Sequence, residues 1–373
     1  MKLGVISANY PQQRLILGAQ VPDVVYKVCP NYWAPLYRKL NTYEFFFPFS
    51  RYVDAYHTVN VCMLTKKPWC CTFETMIPRG GQLLHAQHHK EFDVVPIKRL
   101  KKMLEIYAKD NCKKLMALSE CNYKQQLLVY ELFPDLADVL TFKTCHIKVP
   151  QPLLVKAPKS KVNDKVRFFF VGNDFTRKGA VEIILAAHML RKERDDFELV
   201  IVTNTQRTYN YVFKDFQDTE QENDKIFSII ENSKDYLSIY PPLPFKKVKE
   251  LMLSCDVGLL PTWGETYGFS VLEMQAAGLP VISTGIRALH EINPYGWIID
   301  LPTNWAGELA LKNRVHKEEV RKAIVKELHD IFHSICENRG AVIEKSIRSF
   351  DFIKTQHDLE SYRCFLQNVY KEF

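Results

Sequence analysis

Short apolar runs alternate with amphipathic stretches along almost the whole chain. Leu3–Ser7, Ala55–Val61, Pro68–Phe73, Lys114–Ser119 and Thr144–Val149 read as strands, and the 3.6-residue period over Lys98–Ala108 predicts a helix. After Pro150-Gln151-Pro152 a second series begins. It comprises strand Val166–Val171, helix Ala180–Arg191, strands Phe197–Val202 and Tyr236–Tyr240, helix Pro244–Ser254 and strand Val257–Pro261, then helix Ser270–Ala277 and strand Val281–Ser283. Strands alternating with helices predict parallel sheets covered by helices on both faces, an α/β class.

The Lys-rich, Pro-bounded stretch Pro150–Asp164 reads as a linker between two such domains, residues 1–152 and 153–340. The last segment, 341–373, reads as amphipathic helices expected to pack back on the first domain. A length of 373 residues suits two domains of ordinary size.

Composition narrows the partners. Hydrophobic residues at 47% and charged residues at 25% are ordinary for a globular protein, and 23 Phe with 18 Tyr argue against long disorder. A formal charge of +7 suits small anions, acidic glycans or a membrane surface and is modest for a nucleic-acid binder. No run is long and apolar enough to span a bilayer, and Met1–Ser7 reads as a first strand with no signal-peptide pattern. Ten scattered cysteines without zinc spacing read as reduced thiols of a cytoplasmic protein.

Two loops stand where parallel sheets bind ligands, beyond the carboxyl ends of strands. The first is Gly172-Asn173-Asp174-Phe175-Thr176-Arg177-Lys178-Gly179. Gly172 permits a close turn, and Arg177 and Lys178 just before a helix N-terminus suit a diphosphate. The same residues also fit a solvated basic turn capped by Thr176. The second is Thr262-Trp263-Gly264-Glu265-Thr266-Tyr267-Gly268-Phe269-Ser270, leading to Glu273. Gly268 allows close backbone approach, and the Phe269 and Ser270 N–H groups open a helix at its positive end. Glu265 and Glu273 can face one cleft, although an acid early in a helix is favourable without any function.

Taken with Ser254–Pro261 and Ala277-Gly278-Leu279-Pro280-Val281-Ile282, these loops resemble family 4 of the glycosyltransferases. That family carries an E-x7-E signature on a GT-B fold, two Rossmann-like domains facing a cleft. The resemblance is strong over about residues 168–291 and thinner, though colinear, before them. It implies a retaining, metal-independent transfer of a hexose from a nucleoside-diphosphate sugar, UDP or GDP, to a glycan or glycolipid acceptor. No cofactor and no nucleic acid enter that reaction. Lys178, with Arg177 beside it and Gly172 and Asn173 in the turn, would meet the diphosphate. Glu265, Gly268, Phe269 and Ser270 would hold the sugar, Glu273 the ribose, and the backbone near Leu243 the base.

The chain also departs from that pattern. Asn173 replaces a customary cation, and Glu74 stands where many members carry a His, so it is expected to bind a hydroxyl or to act as acid or base, although the position also fits a solvated loop residue. Ala8–Arg14 lacks the usual Gly-rich turn. These departures leave two other readings open: a non-catalytic nucleotide-sugar or glycan-binding subunit, and an epimerase. The basic face Lys98, Arg99, Lys101 and Lys102 opposes a stripe of Ile97, Leu100, Leu104 and Tyr107 that fits the domain's own core, with peripheral membrane contact as a lesser use. His85, His88 and His89 read as an exposed loop without acidic partners.

Overall fold

The computed structural model describes every residue except 8–10, 31–44 and 47–51. Ala8-Asn9-Tyr10, the first part of the loop lacking the Gly-rich turn, therefore lies outside the described residues. The chain forms two compact units, one of residues 1–150, 304–306 and 357–373, the other of residues 151–303 and 307–356.

In the first unit the strands are β1 (Lys2–Ser7), β2 (Val25–Pro30), β3 (Phe45–Phe46), β4 (Ala55–Val59), β5 (Cys62–Met63), β6 (Trp69–Phe73), β7 (Cys112–Ala117) and β8 (Thr144–His146). Six of them form a sheet in the order β2-β1-β4-β6-β7-β8, while β3 pairs with β5. All the pairings are parallel. Every residue of β4 and β6 is buried, which is why those strands read as continuous apolar runs rather than alternating ones. The helix Lys98–Ala108 buries Leu100, Met103, Leu104 and Tyr107 against this core and leaves Ile97, Lys98, Arg99 and Lys102 exposed. Helix Glu120–Glu131 starts at Ser119, whose hydroxyl accepts from Asn122 N at 3.1 Å.

The second unit holds β9 (Val166–Gly172), β10 (Phe197–Thr203), β11 (Leu237–Tyr240), β12 (Val257–Leu260), β13 (Val281–Thr284) and β14 (Trp297–Ile299). They form one parallel sheet in the order β11-β10-β9-β12-β13-β14. The two chemically suggestive loops follow β9 and β12, which are neighbours, so sheet order alone brings them together.

Three expectations change on folding. The stretch Pro150–Asp164 packs along the second unit instead of linking freely. The carboxylate of Asp256, fully buried, is satisfied by Lys159 Nζ at 2.8 Å, Asn163 Nδ2 at 2.8 Å and Arg167 N at 2.9 Å, and this pins the segment down. The C-terminal segment divides. Helix Gly340–Gln356 belongs to the second unit, where it packs on helix Phe269–Ala276, and only Leu359–Lys371 lies in the first. There Tyr370 OH and Thr72 Oγ1 bond the two ring nitrogens of buried His57 at 2.7 and 2.8 Å. His85, finally, lies in the short helix Gly81–Ala86, and His89 Nδ1 meets the Asp93 carboxylate at 2.7 Å, an acidic partner four residues on.

Candidate functional site

Gly179 and Pro261 hold the two loops of the second unit against each other. Gly179 has φ +87°, and a Cβ there would lie 2.1 Å from the Pro261 carbonyl oxygen, so no other residue fits. The loops are then zipped by main-chain bonds. Trp263 N donates to Arg177 O at 2.9 Å, and Thr262 Oγ1 donates to the same oxygen at 3.0 Å. Beneath them Trp263 is fully buried, edge-on to Phe213 with ring centroids 4.8 Å apart. Both Arg321 and Lys317 lie over the Phe213 ring.

This arrangement sets Lys178 against Glu265. Their side chains are ion-paired and mostly buried, at 16% and 13% exposure. Burial alone would raise the Glu265 carboxyl, but the charge and hydrogen bond of Lys178, then the charge of Arg177 and the Thr266 N–H, hold it below the ordinary carboxylate range. The stem of Lys178 packs over Gly172, where a Cβ would lie 3.1 Å from Lys178 Cβ. Asn173, next in the turn, is exposed.

Glu273, in the helix Phe269–Ala276, has the opposite environment. Burial pushes its carboxyl up, and among the described residues no protein donor meets it. That helix opens at Gly268, φ +99°, over which Leu289 and Ile292 pack. The N–H groups of Phe269 and Ser270 belong to its first turn and have no intrahelical acceptor. Leu243 lies half-buried in the Pro-rich turn after β11.

Arg177 is committed to the protein. Its Nη1 donates to Gly264 O at 2.6 Å, its Nη2 bonds the Asp174 carboxylate, and its guanidinium lies 5.6 Å from the Tyr211 ring centroid. Tyr211 belongs to residues 204–219, which follow β10. Its ring so overhangs Gly264 that a Cβ there would come within 2.7 Å of the hydroxyl. Nothing in the sequence pattern pointed to that loop, because its residues meet the site only through folding. Asp218 from the same loop and Glu222 from the first turn of the helix after it form an acidic cluster with Glu318, but Lys317 bridges Asp218 at 2.7 Å and Glu318 at 3.0 Å, and Arg321 reaches Asp218 at 2.8 Å. The cluster is thus an internal ion-pair network.

Glu74 sits in the first unit, just beyond β6. Its backbone N donates to Asn60 Oδ1 at 3.0 Å, while its carboxylate faces Asn60 Nδ2 and Arg79 Nη1, each at 3.4 Å. Asn60 follows β4 with φ +58°, and Asn122, at the start of the helix after β7, donates to Glu74 O. Three strand ends thus converge on this residue, through its carboxylate, its N–H and its main-chain carbonyl.

Comparison with known proteins follows the same outline. Residues 155–305 match the family described as glycosyl transferases group 1. A D-inositol 3-phosphate glycosyltransferase from Paenarthrobacter aurescens is 26% identical over 151 residues, which is 39% of this chain and 35% of that relative. The match thus spans about a third of the relative's length. A second protein of the same name, from Arthrobacter, is 25% identical over 125 residues, 34% of this chain and 28% of its own length. Among solved structures, Anabaena HepE in complex with UDP and glucose superposes with a TM-score of 0.62 at 10% identity, covering 100% of both chains. WaaG, a glycosyltransferase involved in lipopolysaccharide biosynthesis, does so with a TM-score of 0.59 at 14% identity over 99% of both chains. The fold is therefore GT-B: two parallel-sheet, Rossmann-like α/β units in one chain.

Proposed function

We propose that the chain is a retaining, metal-independent glycosyltransferase that moves a hexose from a nucleoside-diphosphate sugar to a glycan or glycolipid acceptor. The observation that carries this reading is the Lys178–Glu265 pair, set between two neighbouring strand ends and beside two helix N-termini. A diphosphate leaving group needs positive charge where its own charge grows. Lys178 and the first-turn N–H groups of helix Ala180–Leu190 supply that charge without a metal.

Glu265 accepts from hydroxyls of the sugar being transferred, helped by the Phe269 and Ser270 N–H groups. Glu273, a desolvated carboxylate that no donor meets among the described residues, accepts from the ribose hydroxyls. The backbone around Leu243 lies against the base. Retention follows from front-face attack, in which the departing phosphate takes the acceptor's proton while positive charge develops at the anomeric carbon. UDP or GDP is the nucleotide we assign, and UDP is the nucleotide that HepE holds.

Glu74 is the acceptor-side group of this reading. Held by Asn60 and faced by Arg79, it accepts a hydroxyl of the acceptor. Among the described residues no helix is long and apolar enough to cross a membrane. A glycolipid acceptor would instead be met at the bilayer surface, with the exposed Lys98, Arg99 and Lys102 facing anionic headgroups. We place the protein in the cytoplasm, where its unpaired cysteines stay reduced.

The reading is tested by incubating the protein with UDP- and GDP-hexoses and candidate acceptors, with and without EDTA. Release of nucleoside diphosphate and the anomeric configuration of the product are followed by NMR. Nucleotide-sugar binding without release for any acceptor would overturn the enzymatic reading in favour of a binding subunit. An inverted product would overturn retention, and loss of activity in EDTA would overturn metal independence.

A further inference from the structure

Three cations face two carboxylates where the loops after β9, β10 and β12 meet. Lys178 is paired with Glu265, and Arg177 and Arg207 share Asp174. The two arginines are held very differently. Arg177 spends its guanidinium on Gly264 O, on Asp174 and on the face of Tyr211, so it ties protein loops together. Arg207 reaches Asp174 through Nη1 alone, at 3.5 Å, and its side chain is 55% exposed.

The backbone of Arg207 is nevertheless fixed. Its carbonyl accepts from Phe175 N of the phosphate loop at 3.1 Å, and its own N–H donates to Asn204 O at 3.0 Å. A turn closed by Asn204, whose Oδ1 accepts from Gln206 N at 3.1 Å, sets the direction of the chain. An anchored backbone, an exposed guanidinium and a single long carboxylate contact together describe a cation that can change partners at little cost.

Taking the donor site as assigned above, we propose that Arg207 is a phosphate-binding residue of that site, parked on Asp174 until the donor's diphosphate arrives. The turn that carries Asp174 also carries exposed Asn173, which brings no charge, and Arg177 is already occupied. The diphosphate therefore gains its second side-chain cation, beside Lys178, from a different strand end. Asp174 holds the guanidinium near that position, and a phosphate offers two or more oxygens in place of one distant contact. Residues 204–219 thereby form part of the donor site instead of merely covering it.

The test uses the full chain and its Arg207→Ala, Arg207→Lys, Asp174→Asn and Lys178→Ala variants, each shown to be folded at the titration temperature by a cooperative thermal transition above it. UDP and GDP are titrated calorimetrically, each against its monophosphate. Arg207→Ala is expected to weaken binding of the diphosphate about ten- to hundredfold and binding of the monophosphate much less. Arg207→Lys should recover part of the loss. Asp174→Asn, which frees Arg207, should bind the diphosphate at least as tightly as the parent chain. Diphosphate affinity unchanged in Arg207→Ala, with a loss in Lys178→Ala, would overturn the assignment and leave the donor site standing. Binding of no nucleotide by the parent chain would overturn both.

Discussion

The Lys178 ammonium is bonded to the Glu265 carboxylate, joining the loops that follow two adjacent strands, β9 and β12. Both side chains are mostly buried, so neither charge is fully solvated and each depends on the other. A bound diphosphate would draw on the ammonium, and a sugar hydroxyl would draw on the carboxylate.

Lys178→Met should therefore act twice. Turnover should fall about a hundredfold or more, because the leaving diphosphate loses its nearest cation. Stability should fall by roughly 1–3 kcal/mol, because Glu265 is left mostly buried without its partner. Initial rates of diphosphate release and urea denaturation measure the two effects. Normal turnover in a folded variant would contradict the phosphate-binding role.

The same pair sets an acid limit. Glu265 is held below its ordinary value of 4.5, so its contribution to stability is present above that pH and disappears as pH falls through the lower, folded-state value. In Lys178→Met the depression is relieved and burial dominates. The stability gap between that variant and the parent chain should then be widest near pH 7 and close as pH falls below 4.5, as urea denaturation followed by circular dichroism at each pH measures.

Glu273 should show the reverse linkage. Burial raises its carboxyl above 4.5, so ionisation opposes folding as pH rises through the raised value. Glu273→Gln should thus be more stable than the parent chain at pH 7, with the advantage shrinking as pH falls through the raised value and gone below 4.5. The same variant should bind nucleoside diphosphates more weakly, the exchange expected of a functional carboxylate kept in an unfavourable place. Paired thermal melts and calorimetric titrations decide it; a variant that is more stable and binds normally would remove the ribose role.

Gly179→Ala should be severe for a residue with no side chain to lose. The left-handed backbone costs about 1–2 kcal/mol in any L-residue, and the new methyl would press on the Pro261 carbonyl. Equilibrium denaturation should show a loss of about 2 kcal/mol or more, and donor binding should suffer because the two loops are forced apart.

His57 makes the first unit acid-sensitive at a milder pH. Burial lowers its imidazole from 6.5 to about 3, so the folded state keeps it neutral while the unfolded chain takes up a proton below 6.5. Stability should decline as pH falls from 6.5 toward 3. Tyr370→Phe should cost a further 1–3 kcal/mol or so at neutral pH, since it leaves a buried ring nitrogen without its partner. Proteolysis of the terminal helix Leu359–Lys371 reports that loss directly.

Much of the candidate site was legible in the sequence. Gly172, Lys178, Gly268 and the acids at 265 and 273 sit within short segments whose conformation depends on neighbours in the chain. Pro and Gly punctuation, apolar runs and a helix start carry that information locally. The helical nature of residues 341–373 was equally plain from its period.

The partners were not legible. Arg177 read as a phosphate ligand, yet its guanidinium spans to Gly264, 87 residues along the chain. Pro150–Asp164 read as a free linker until Asp256 claimed Lys159 and Asn163. Helices Gly340–Gln356 and Leu359–Lys371 look alike in periodicity and go to different units.

Amino-acid order by itself determined the alternation of strands and helices and the two loops with their chemical groups. Only the tertiary structure decided the strand order that makes those loops neighbours, the pairing of Lys178 with Glu265, and the arrival of Arg207 beside Asp174. Backbone conformation is set mainly by adjacent residues. A buried charge must find its counter-ion wherever packing puts one, and packing draws on the whole chain.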